Sequence, residues 1–144
     1  MSAAKAFFDT NVLLYMYSTA DTGKQTRAQE LFHEHSRVGT IVLSTQVVQE
    51  FYAAGLRKLV MRREPLREAI EELLALPLVL VGPSQILMAI ENEEQYRISF
   101  WDALILAAAE SGGAEVLYTE DLNHGQQYGA VLVRNPFHPR ERLP

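Results

Sequence analysis

The stretch Ala6-Phe7-Phe8-Asp9-Thr10-Asn11-Val12-Leu13 passes from a short apolar run, through an acid, into a second apolar segment. Two adjacent aromatics of high strand preference predict a buried strand over 6–8. Asn11 to Tyr17 then reads as a short helical turn. The same alternation continues outward. Lys24 to His35 places Ala28, Leu31, Phe32 and His35 at i, i+3, i+4, i+7, an amphipathic helix. Ile41-Val42-Leu43 is a second strand. Thr45 to Val60 is a helix with Val48, Phe51, Tyr52, Leu56 and Leu59 on one side. Pro65 suits the first turn of a helix over Glu64 to Leu76. Leu78 to Val81 is a third strand, and Pro83 opens a helix to Tyr96. Phe100 to Ala109 is helical and ends at Gly112-Gly113. Val116 to Tyr118 and Ala130 to Val133 are the last strands, and Asn135-Pro136 closes the fold. Short apolar strands alternating with helices predict an α/β fold whose parallel sheet is covered on both faces. Ligands of such sheets bind beyond the carboxyl ends of the strands, so polar residues there come first.

Composition narrows the classes. The 144 residues are 48% hydrophobic and 22% charged, which suits one globular domain over 1–144 with a real core. No repeat, low-complexity tract or linker interrupts it. The absence of cysteine rules out a disulfide scaffold, a thiolate nucleophile and Cys-ligated zinc. It also fits a reducing compartment, and a cytoplasmic location is expected. The longest apolar run, Leu73 to Val81, contains Pro77 and is too short to span a bilayer, so no membrane role is expected. Lys5 is followed by Asp9 after a few apolar residues, and no signal peptide is readable. A net charge of −5 matches bulk nucleic acid poorly. A nucleic-acid role therefore needs a local basic patch, or cations held by the acids.

Asp9 directly follows the first strand, and Thr119, Glu120 and Asp121 follow the strand Val116 to Tyr118. Parallel strands bring both acidic ends to one edge. Glu120 and Asp121 are adjacent, so in an extended segment only one of them faces a site there. Asp102 is the one polar side chain between Phe100 and Ala109. A carboxylate on so apolar a helix is costly unless paired, capped or bound to a cation. Ser99 three residues before it resembles a capping box, so capping and cation binding both remain open. Glu50 lies off the apolar stripe of its helix, which suits a solvated side chain or a helix face lining a cleft. Two carboxylates about 5 Å apart repel by roughly 3 kcal/mol at an effective dielectric of about 20. Convergence of these acids therefore requires raised pKa values or a divalent cation. All-oxygen ligands favour Mg²⁺ or Mn²⁺ over zinc, and His33 and His35 diverge on their helix. No P-loop, G-x-G-x-x-G or G-x-S-x-G motif is present. Five basic residues, Arg57, Lys58, Arg62, Arg63 and Arg67, stand against Glu64 alone. They are either a solvated helical hairpin or a phosphate-contacting rim beside an acidic centre.

Four segments together resemble PIN-domain ribonucleases, and within them the toxin halves of VapBC-type toxin–antitoxin modules. They are Phe8-Asp9-Thr10-Asn11-Val12-Leu13, Thr45-Gln46-Val47-Val48-Gln49-Glu50-Phe51, Phe100-Trp101-Asp102-Ala103-Leu104-Ile105 and Tyr118-Thr119-Glu120-Asp121-Leu122-Asn123-His124-Gly125. The terminal Asn135-Pro136-Phe137 is similar too. The resemblance covers nearly the whole chain. It implies a three-layer α/β/α fold with a short central parallel sheet, and a metal-dependent endoribonuclease acting through Mg²⁺ or Mn²⁺. Carried over by position, Asp9, Glu50 and Asp102 match the three most regular acidic positions and Asp121 the fourth. Asn11 and Thr119 match supporting polar positions. Arg57, Lys58, Arg62 and Arg63 are the expected substrate contacts. The implied partners are RNA, a cognate small antitoxin and a second copy of the chain in a homodimer. A related nuclease working in RNA processing without an antitoxin, and a non-catalytic protein-binding module, remain as alternatives.

Overall fold

The computed structural model describes residues 4–139, so both ends of the 1–144 span expected as one domain lie outside the described residues. Six strands form one sheet in the order β3-β2-β1-β4-β6-β5. β1 is Ala6–Phe8, β2 Ile41–Ser44, β3 Leu78–Val79, β4 Val116–Tyr118, β5 Gln127–Tyr128 and β6 Val131–Arg134. All three residues of β1 are shut from solvent, as befits a central parallel strand. β1 pairs in parallel with β2 on one side and with β4 on the other. The chain order therefore reverses between β1 and β4, and a crevice opens beyond their carboxyl ends at that switch point.

Strand alternation assigns the two covering layers. Phe8 and its register partner Tyr118 point to one face, where ring centroids stand 5.3 Å from Phe32 and 5.8 Å from His35 of α2 (Thr22–Val38). Phe7 and its partner Val42 point to the other face. That face receives α6 (Phe100–Ser111), which packs on β2, β4 and β6. Residues Ala103 to Ala109 of α6 are all buried, as a helix apolar on every side requires. Its outer side packs on α5 (Pro83–Tyr96) through Ala89, Ala103, Leu104 and Ala107. α3 (Thr45–Lys58) follows β2 directly and packs on α4 (Arg63–Leu74), while α1 (Thr10–Tyr15) follows β1. These layers are the α/β/α arrangement expected from the sequence. No helix among the described residues is long and apolar enough to cross a membrane.

Three expectations need correction. The sheet is not wholly parallel: β5, which no periodicity revealed, runs antiparallel to β6 through a tight turn at Gly129, whose φ is +57°. Two residues are too few to show a period. The third strand stops at Val79 rather than Val81, because the Val81 N–H donates to Thr45 Oγ1 at 3.0 Å and not to a strand. α2 extends past both expected ends, capped by the Asp21 carboxylate on the Lys24 N–H at 3.0 Å and by left-handed Gly39.

Gly112 closes α6 against the sheet. A Cβ there would stand 2.6 Å from Val42 Cγ1 and 2.9 Å from Val79 Cγ2. Gly112→Ala is therefore expected to destabilise by about 1–3 kcal/mol through overpacking. Thermal melting should show a fall of several degrees; an unchanged midpoint would mean that the sheet edge yields to α6 freely.

Candidate active site

Asp9 ends β1 and caps α1. Its Oδ1 accepts from the Thr10 N–H at 2.7 Å and its Oδ2 from the Thr119 hydroxyl at 2.7 Å. The parallel register makes this possible: Phe8 pairs with Tyr118, and the Asp9 N–H donates to the Tyr118 carbonyl at 3.0 Å. Thr119 thus sits opposite Asp9, fully buried. Its oxygen also accepts from the Asp121 N–H at 3.1 Å and, more weakly, from Asn11 Nδ2 at 3.4 Å. Asn11 Nδ2 donates in turn to Asp121 Oδ2 at 2.9 Å.

Asp102 arrives from the opposite layer. The Ser99 hydroxyl accepts from the Asp102 main-chain N–H at 3.1 Å, which caps α6. The cap uses the backbone N–H of Asp102, and the Ser99 side chain also favours the charged form of the carboxylate. Capping and a site role are not alternatives here. One carboxylate oxygen each of Asp9, Asp102 and Asp121 lie within 4.8 Å of one another. Glu50 is outside this trio. It lines the same cleft from α3, where Thr10 Oγ1 donates to its Oε1 at 3.0 Å.

The adjacent Glu120 turns away. Tyr15 donates to its Oε1 at 2.9 Å and Lys24 Nζ approaches its Oε2 at 3.0 Å. Of the five basic residues, Arg57 and Lys58 line the acidic cleft. Arg63 and Arg67 line a separate groove with Tyr52, Ile70 and Leu74, and Arg67 pairs with Glu71 at 3.1 Å. Arg62 precedes α4 and lines neither. Two further residues of the cleft, Gln46 and Trp101, carry no site role in the sequence pattern. Gln46 is a nearly buried amide on α3 whose Nε2 donates to the Trp101 carbonyl at 3.4 Å. A polar residue directly before the buried pair Val47-Val48 in the first turn of a helix is the available signal.

The cleft encloses about 320 Å³. Burial raises the Asp9 pKa to about 7, although hydrogen bonds from Thr119 and Thr10 pull the other way. That value already includes smaller upward contributions from the charges of Asp121 and Glu50. Burial also raises the Asp102 pKa, opposed by Ser99 and assisted by Asp121 and Glu50. Hard carboxylate oxygens with no imidazole or thiolate among them suit Mg²⁺ or Mn²⁺. Ligand oxygens about 2.1 Å from one octahedral ion stand roughly 3–4 Å apart, so the trio needs only a small closure. The buried Asn11 Oδ1 has no hydrogen-bond partner among the described residues, so the cleft still holds an unused hard acceptor. The donor set fits such an ion.

A model of the PIN domain matches residues 6–129. Solved structures share the fold at low identity. A toxin–antitoxin complex from Klebsiella pneumoniae has a TM-score of 0.70 and 17% identity, covering 92% of this chain and 98% of that one. VapC20 of Mycobacterium tuberculosis, a toxin cleaving the sarcin–ricin loop, has a TM-score of 0.66 and 21% identity, covering 81% and 90%. A DNA-bound VapBC complex from Salmonella typhimurium has a TM-score of 0.67 and 14% identity, covering 93% and 99%. No curated protein sequence matches the chain.

Two measurements test the electrostatics. Asp9 binds its proton more tightly folded than unfolded, so between pH 4 and 7 the folded chain holds the extra proton. Its contribution to stability is full below about pH 4 and is lost as pH rises through about 7. In EDTA, melting temperature should fall over this window, by up to about 4 kcal/mol in stability, and Asp9→Asn should flatten the slope. An equal slope in both proteins would place the titration elsewhere. By calorimetric titration, Asp121→Asn should weaken Mn²⁺ binding more than Glu120→Gln, whose carboxylate is committed to Lys24. The opposite order would mean that the strand-end turn presents Glu120 instead.

Proposed function

The chain belongs to the PIN-domain family, and we propose that it is a Mg²⁺- or Mn²⁺-dependent endoribonuclease, the toxin of a toxin–antitoxin pair. The observation that carries this reading is the convergence of Asp9, Asp102 and Asp121 within 4.8 Å at the switch point of the sheet. Three like charges held this close oppose one another, and a divalent cation relieves that repulsion. RNA as substrate is supported by the sarcin–ricin-loop-cleaving toxin that shares the fold, and an antitoxin as restraint by the toxin–antitoxin complexes that share it. A cytoplasmic site of action suits that substrate.

When bound, Mg²⁺ or Mn²⁺ supplies Lewis-acid stabilisation of the phosphate charge and lowers the pKa of a water molecule. Asp9, Asp102 and Asp121 are the ligands we assign, with Glu50 the fourth acid of the cleft. Thr119 and Asn11 hold Asp9 and Asp121 in their rotamers. Arg57 and Lys58 draw the RNA backbone into an otherwise acidic cleft. Arg62 and Arg63 would act farther along the strand, on phosphates beyond the cleft. Water adds to the phosphorus, the bond to one RNA oxygen breaks, and a cleft carboxylate accepts the water's proton. An antitoxin arginine would fork onto the same carboxylates and exclude substrate. The exposed Ile86, Leu87 and Ile90 on one side of α5 support a second copy of the chain as a further partner.

Purified protein should cleave RNA with Mg²⁺ or Mn²⁺ and stop in EDTA; undiminished cleavage in EDTA would refute the mechanism. Asp102→Asn keeps the Ser99 cap, so its stability should change by under about 1 kcal/mol. Its activity should fall at least about 100-fold. In bacteria, wild type should arrest growth and Asp9→Ala at matched levels should not.

A further inference from the structure

Trp101 is the chain's sole tryptophan, and 63% of it is exposed. An indole is usually among the more buried side chains, because leaving it wet forfeits a large apolar surface. Nothing in the packing of α6 requires the exposure, since the following residues Ala103 to Ala109 are all buried. Trp101 lines the same cleft as the three converging carboxylates, one residue from Asp102. The Gln46 amide holds its backbone carbonyl, and the Phe100 ring stands edge-on to the indole at 5.2 Å. A large aromatic surface is thus held in solvent beside the acids, and Arg57 and Lys58 line the same cleft from α3. Cations for phosphates and a flat ring for a base are the two elements of single-strand recognition.

We propose that Trp101 determines which RNA is cut, by stacking on the nucleobase next to the scissile phosphate. This rests on the ribonuclease reading above. A base paired in a duplex is already stacked on both sides and cannot lie on the indole while its phosphate meets the carboxylates. The base must be unpaired, and its stacking strength biases where the strand is cut. Arg57 and Lys58 bind the backbone without regard to sequence, so the preference resides in Trp101.

The test uses short single-stranded RNAs of varied sequence with Mn²⁺, in wild type, Trp101→Ala and Trp101→Phe. The expected result is a loss of roughly ten-fold or more in kcat/KM for Trp101→Ala, carried mainly by KM. Its cleavage sites should spread over more sequences, and Trp101→Phe should restore most of both. Because Trp101 is alone, indole fluorescence reports on it without interference. In Asp102→Asn, single-stranded RNA should quench that emission and duplex RNA of the same sequence should not. If wild type cleaves and Trp101→Ala cleaves equally well at the same sites, the proposal is overturned while the ribonuclease reading stands. If Trp101→Ala spares cleavage but loses self-association or antitoxin binding, Trp101 is a protein contact and the proposal is likewise overturned. If wild type cleaves none of these RNAs under any divalent ion, the ribonuclease reading falls and the proposal with it.

Discussion

The hydroxyl of Thr119 ties together the two strand ends that meet at the reversal of the sheet. It has one proton to give and two lone pairs to receive, and all three are used: Asp9 Oδ2 takes the proton, and the Asp121 N–H and Asn11 Nδ2 donate to the oxygen. The parallel pairing of β1 with β4 sets the two residues side by side, and the hydroxyl converts that backbone register into a side-chain geometry. Valine at 119 would fill the same volume yet leave a buried carboxylate oxygen and a main-chain N–H without partners, which is the expensive kind of loss. The carboxylates of β1 and β4 are thus oriented by the sheet itself. Only Asp102 and Glu50 depend on how helices are docked.

That division explains the electrostatic strain. Asp9 is buried because β1 is the central strand, and its position is fixed before any ligand arrives. Burial holds its pKa up at about 7 even against two hydrogen bonds that favour its charged form. The residue is balanced between a proton and a cation. Glu120, with as much formal charge, is taken out of this contest by Lys24 and Tyr15. The cleft therefore gathers several like charges, but not every acid in the neighbourhood.

The fold and the acids were legible to different degrees for physical reasons. β1, β4 and α6 show in the sequence because burial on both sides leaves uninterrupted apolar runs, and Asp9 and Asp102 stand out against them. Glu50 does not stand out: its identity as a cleft residue depends on Thr10, forty positions away, donating to it. The resemblance to a known family raised it where periodicity could not. The basic residues looked like one cluster because they are close in sequence. The break between α3 and α4 sends Arg57 and Lys58 to the acidic cleft and Arg63 and Arg67 to another groove. Gln46 is not legible in the sequence, because a single buried amide on a helix leaves no periodic mark.

α6 is pinned at both ends, by the Ser99 cap at its start and by Gly112 pressed between Val42 and Val79 at its finish. Trp101 and Asp102 are neighbours on its first turn. A rigid rod so held offers no way to slide the indole along the cleft without dragging the carboxylate out of reach of Asp9 and Asp121. Drift of the helix is closed as a route to new substrates. A different surface at this point of the cleft would come from exchanging the side chain at 101, while the helix that bears it stays in place.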